Sequence, residues 1–271
     1  MRPSTKLVTD NEFFSSERQD NVLVVRGKPH FSRHVSDLRK IDAFFDHLEI
    51  ISHTDQVKVV VFIGARDDSG SQETLEFFSK LLEARREDYL LQRMFNLVNN
   101  YAVAMAGLDK VTIHAAAGLI SMFFFNLSLS CDYRIVGQGT VFQNAFSELG
   151  TIPKGGGAYY LSRLLGAGRT AEVLQWPRFT AEEALSIGAV DKIVPADQIE
   201  EVALQTARLY KEAQISTLVA VRKLLKGNID ELRRSLETED LVILNRVNSP
   251  EFKDALQALL ERDRTAQSVR A

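Results

Sequence analysis

The sequence has a single cysteine, Cys131, in 271 residues, so no disulfide can form within the chain. That suits a reducing compartment and points to the cytoplasm. The first residues, MRPSTKLVTDNEFF, carry no apolar signal-peptide core. The most apolar stretch, Ala115 to Leu129, is interrupted by Ser121, Asn126 and Ser128. It is too short to span a bilayer and reads as a buried helix. Neither sign of charge predominates, with 33 Lys and Arg against 36 Asp and Glu. A net charge of −3 gives no electrostatic case for nucleic acid, so neither nucleic acid nor a membrane is expected as a partner. The histidines His30, His34, His47, His53 and His114 lack metal-ligand spacing, and no metal is expected. His114, in a strand among alanines, reads as a satisfied core residue. There is no Gly-x-Ser-x-Gly elbow to support a serine triad. The run Gly155-Gly156-Gly157 lacks the Lys-Ser/Thr of a P-loop. Its N–H groups could hold a phosphate, but the run reads as a turn that lets a helix pack on a sheet.

What is present is an ordinary globular composition, 45% hydrophobic and 25% charged, in a chain long enough to bury a sizeable core. Val22 to Val25 reads as a strand, Ser36 to Ile51 as an amphipathic helix, and Lys58 to Gly64 as a strand covered on both faces. This strand–helix–strand order implies a right-handed crossover. A long charged helix is expected over Thr74–Asn100, then a strand over Lys110–Ala116 and a helix over Ser121–Cys131. Strands are expected at Tyr133–Val136 and Val141–Ala145, and a helix from Gly155 to Leu165. Thr180 and Glu183 form a capping-box pattern closed by Gly188. Helices then follow over Gln198–Ala213, Ser216–Leu225, Ile229–Val247 and Pro250–Arg264. The division is an α/β core over residues 1–195 and a helical C-terminal region over 196–271.

Three groups of residues share a frame: Ala115-Ala116-Ala117-Gly118, Cys131-Asp132-Tyr133-Arg134-Ile135, and Leu149-Gly150-Thr151-Ile152-Pro153-Lys154-Gly155-Gly156-Gly157. Ala189-Val190-Asp191-Lys192-Ile193-Val194-Pro195 and the segment from Ser249 to Leu256 continue it. In this order and spacing the chain resembles the crotonase (enoyl-CoA hydratase/isomerase) superfamily over most of its length. The resemblance implies a spiral of ββα units and a homotrimer, or a dimer of trimers, built through the C-terminal helices. It also implies an acyl-CoA ligand or the same thioester on a carrier protein, with no cofactor beyond coenzyme A in the substrate.

Such proteins hold a thioester enolate with two backbone N–H groups. Those positions fall at Glu73 and Phe123, flanked by Thr74, Leu75 and Met122. Where the family has glycines, the bulk of Met122-Phe123-Phe124 implies either a packed core or a narrow apolar pocket. The two glutamates of the hydratases fall at Asn126 and Phe146, which cannot transfer a proton, so standard hydration is not expected. Glu148, two residues past Phe146 and on the same side of an extended strand, is the remaining candidate for proton transfer, as in isomerases of the family. Its alternative is a solvated or salt-bridged glutamate. Lys28, Arg33 and Arg262 are candidates for a coenzyme A phosphate. The expectation is an isomerase-like or other enolate reaction. The alternative is a non-catalytic relative that binds a partner or acyl-CoA without turnover.

Overall fold

The computed structural model describes residues 6–29, 38–64, 72–83, 87–210, 212–225 and 229–270. A seven-stranded sheet forms its centre, in the order β1-β2-β3-β4-β5-β7-β10. The strands are β1 (Thr9–Asp10), β2 (Phe14–Gln19), β3 (Val22–Gly27), β4 (Val59–Ile63), β5 (Val111–Ala116), β7 (Tyr133–Gly137) and β10 (Lys192–Val194). From β3 to β10 the strands are parallel, while β1 and β2 add antiparallel at the edge. A smaller sheet holds β6 (Leu119–Ser121), β8 (Val141–Gln143) and β9 (Arg178–Thr180).

Alternation along the strands divides the core. Val22, Val24, Val59, Val61 and Ile113 form one face, covered by Ile199, Ala203 and Ala207 of α8 (Ile199–Leu209). Leu23, Val25, Val60 and Phe62 point to the other face, toward α1 (Leu38–Ser52) and α3 (Glu87–Gly107). The apolar run at β4 is therefore buried on both sides, as its β-branched composition predicts. The helical C-terminal region is continuous with this core, since α8 packs on β4, β5 and β7.

The helix expected over Thr74–Asn100 is found as α2 (Gln72–Glu83) and α3, and residues 84–86 between them lie outside the described residues. The hairpin of β1 and β2 has no counterpart in the sequence reading, because Ser15, Ser16, Glu17 and Arg18 give β2 no apolar run. The segment expected as a strand over Val141–Ala145 ends at Gln143. Asn144 then caps a single helical turn, α5 (Ala145–Glu148), its side chain accepting from the Ser147 N–H at 3.3 Å. Downstream lie α6 (Gly157–Val173), kinked at Gly166, and α7 (Ala181–Ser186), whose Thr180–Glu183 capping box is formed as expected. The chain closes with α9 (Glu212–Leu225), α10 (Ile229–Val247) and α11 (Pro250–Arg270). Asp132 ties β7 to β5 by accepting from the Thr112 N–H and hydroxyl, each at 2.8 Å, which gives the Cys-Asp pair a structural role.

Candidate functional site

The short helix α4 (Met122–Ser128) separates two environments. Met122, Phe125 and Asn126 lie one turn apart on one face, whereas Phe123, Phe124, Leu127 and Ser128 share the other. The first face is closed. Met122 and Phe125 are in the core with Leu75, Phe78, Phe146 and Phe252. Phe78 stands edge-on to Phe146 at 6.0 Å and to Phe252 of α11 at 5.2 Å. Asn126 is fully buried and donates from Nδ2 to the Lys154 carbonyl at 3.1 Å. Its Oδ1 has no hydrogen-bond partner among the described residues. The amide lies flat on Gly157, where a Cβ would come within 2.4 Å of Oδ1. Glycine is required at that position, and no room for a ligand remains between the two residues.

The positions expected for two glutamates therefore hold an amide beneath a turn and a phenyl ring in an aromatic core. Neither can give or take a proton. The expectation that Phe146 and Glu148 share a side rested on an extended strand, and it fails because α5 is helical. Residues two apart on a helix point in nearly opposite directions. Phe146 turns inward while Glu148 turns outward, where Arg262 of α11 donates to its carboxylate at 2.7 Å.

The glycine turn is already occupied. Gly155 and Gly156 have positive φ, and their N–H groups point at the buried Glu239 carboxylate of α10, at 3.2 and 3.1 Å. A phosphate would have to displace that carboxylate. Lys154, which is 1% exposed, reaches Asp240 at 2.7 Å, Asn99 at 2.5 Å and the Leu236 carbonyl at 3.0 Å. Burial raises the Glu239 carboxyl above its ordinary range, against the opposing pull of Lys154 and the two glycine N–H groups. Sequence reasoning missed this cluster, whose members are separated by as many as 141 residues.

The second face of α4 opens on a cavity of about 170 Å3, bounded by the sheet, α1 and α3. Strand register builds its floor. Val25 pairs with Phe62 and Phe62 with His114, so three neighbouring parallel strands present these side chains in a row at their C-terminal ends. Phe44 of α1 and Tyr101 of α3 stack at 5.9 Å along one wall, and Phe123 and Phe124 meet edge-on at 5.3 Å. No acidic, lysine or arginine side chain is among the lining residues described. His114 was expected to be a satisfied core residue. It instead faces the cavity without a hydrogen bond to another described residue. Burial, and then the charge of Arg134 on the next strand, push its pKa down to about 4, so the imidazole is neutral near pH 7. Tyr101 also lines the cavity; its hydroxyl has no hydrogen bond to another described residue, and burial raises its pKa.

The remaining candidates are dispersed. Thr74 and Glu73 are in the first turn of α2, and Leu75 points into the closed core. Glu73 and Phe123 are each the second residue of a helix, where the N–H has no acceptor within its own helix. Leu75, Met122, Asn126 and Phe146 do not line the cavity, because the core and the glycine turn cover them. Lys28 pairs with Asp10 across the β1 edge, Arg262 pairs with Glu148, and Arg33 lies outside the described residues. No described helix is long and apolar enough to cross a membrane.

The sequence pattern of the Enoyl-CoA hydratase/isomerase family matches residues 39–267. The chain belongs to that family. It is similar to the crotonyl-CoA hydratase of Syntrophomonas wolfei, 25% identical over 222 residues, spanning 80% of this chain and 83% of that one. It is also similar to the trans-2-decenoyl-[acyl-carrier-protein] isomerase of Streptococcus mutans, 23% identical over 64% of this chain and 67% of that one. Among solved structures, an enoyl-CoA hydratase from Bacillus halodurans superposes with a TM-score of 0.74. It is 20% identical, spanning 91% of this chain and 100% of that one, and shows the same crotonase fold.

Proposed function

We propose that this family member binds an acyl thioester, on coenzyme A or on a carrier protein, in the cavity beside α4 without hydrating it. The observation that carries this reading is the pair Asn126 and Phe146: both positions that would activate a water are closed and hold side chains that are neither general acids nor general bases. The cavity supplies the binding half. It lies at the carboxyl ends of parallel strands, where open α/β sheets take ligands, and its apolar lining suits an acyl group. In this reading the N–H groups of Glu73 and Phe123 meet the thioester oxygen, and the C-terminal helices build a trimer or hexamer. Calorimetric titration with an acyl-CoA series, paired with a spectrophotometric hydration assay on crotonyl-CoA, tests it. Saturable binding without hydration is expected. Hydration at a rate typical of enzymes would overturn the reading.

A second reading is favoured by the similarity to the Streptococcus mutans isomerase. Here Glu148 leaves Arg262 and moves a proton between two carbons of an enolate, which takes one carboxylate and no water. Glu148→Gln abolishes double-bond isomerisation of an enoyl thioester in this case. An unchanged rate removes Glu148 from the reaction.

A further inference from the structure

We infer that the cavity selects an aromatic ring carrying a neutral hydrogen-bonding substituent, such as a phenolic hydroxyl, which His114 and Tyr101 meet. The inference rests on the acyl-thioester reading only for the group to which the ring is attached. Four observations support it. The first is size: about 170 Å3 is close to the ~150 Å3 of an apolar cavity known to take benzene. The second is composition. Phe14, Phe44, Phe45, Phe62, Phe123 and Phe124 all line the space, and Tyr101 makes a seventh aromatic ring. Their pairs include both stacked and edge-on arrangements, at Phe44–Tyr101, Phe14–Phe44 and Phe123–Phe124. Such walls present ring faces and ring edges, and a planar guest gains quadrupole complementarity that an alkyl chain of equal size lacks.

The third observation is polar. A hydrophobic cavity of this kind is most stable with no polar group in it, since an unbonded donor or acceptor away from water is costly. Among the described lining residues His114 and Tyr101 each carry a polar group that is not bonded to a described residue. The Ser128 hydroxyl differs, being committed to the Phe125 carbonyl at 2.6 Å. A guest bearing a hydroxyl could accept from one of these groups or donate to the other. The fourth is charge. With no acidic, lysine or arginine side chain among the described lining, and with His114 neutral near pH 7, a carboxylate or ammonium on the guest would be desolvated without a partner. A neutral substituent fits the described lining.

The experiment is a calorimetric comparison at pH 7.5 of hexanoyl-CoA, phenylacetyl-CoA, 4-hydroxyphenylacetyl-CoA and free 4-methylphenol. It uses the full chain and a His114→Leu/Tyr101→Phe double variant. In the native protein phenylacetyl-CoA should bind roughly 2- to 10-fold tighter than hexanoyl-CoA. The hydroxyl should add roughly another 3- to 10-fold. The double variant should keep the ring preference and lose the hydroxyl preference. Hexanoyl-CoA binding as tightly as phenylacetyl-CoA overturns the inference and leaves the thioester reading intact, as does a hydroxyl preference that is absent from the native protein or survives in the variant. Binding of 4-methylphenol without any thioester does the reverse, retaining the aromatic site and sinking the thioester reading. No binding of any of the four sinks both. If the double variant does not fold, the native comparison decides alone.

Discussion

The two faces of α4 are built from the same seven residues and have opposite fates. One face, through Met122, Phe125 and Asn126, is sealed by Phe146, Phe252 and the glycine turn. The other, through Phe123, Phe124 and Leu127, borders an open cavity. The resemblance places one of its two proton-transfer positions, Asn126, on the first face. Here that face is packed, and the neighbouring face borders the cavity that His114 and Tyr101 also line. The position the resemblance assigns to a glutamate, Asn126, and the cavity therefore belong to different surfaces of one helix.

The strongest way to break the comparison is to unseat the closed side. Lys154→Met leaves the buried Glu239 and the adjacent Asp240 without their cation, and should cost about 3–5 kcal/mol in urea unfolding. A loss under ~1 kcal/mol would show that the cluster does not anchor α10. Truncation on each side sharpens the contrast. Phe146→Ala, in the sealed core, should cost about 3–4 kcal/mol. Phe123→Ala, which already borders empty space, should cost about 1 kcal/mol while weakening ligand binding. Equal costs would mean that the two faces are packed alike.

A pH series addresses the cavity side next. His114 and the buried His47 have pKa values lowered from 6.5 to about 4, chiefly by burial. The folded state thus accommodates the neutral rings. Stability is complete above pH 6.5, where the unfolded imidazoles are neutral too, and falls as pH drops toward 4, below which no further loss comes from these groups. The loss should be at most about 3 kcal/mol per histidine, and His114→Leu should remove its share from the unfolding curve. A profile unchanged by that substitution would deny His114 its desolvated position. The smallest effect is expected at the surface. Glu148→Gln should shift stability by under ~1 kcal/mol, since Arg262 is largely exposed.

Much of the fold was legible locally. The Val59–Ile63 run, the Thr180–Glu183 box and the Cys131-Asp132 frame each carry their signal within a few neighbouring residues. The site was legible only as a set of losses, Asn126 and Phe146 standing where proton-transfer groups belong. Glu148 was misplaced because a single capped turn, α5, was read as extended strand. Within so short a segment the pattern of apolar residues cannot separate the two periods. The edge hairpin was missed because β2 gains its order from pairing with β3 rather than from its own composition.

The sequence by itself determined the family frame, the order of most elements and the placing of Asn126 and Phe146 at the two positions the resemblance assigns to glutamates. These follow from residue identity and from spacing along the chain. The tertiary structure alone decided which face of α4 is sealed, that Glu239 fills the glycine turn, and that His114 faces a cavity. A helix has two faces by its period, but what covers each is set by Lys154, Phe252 and Tyr101, which are distant in sequence and meet it only when the chain folds.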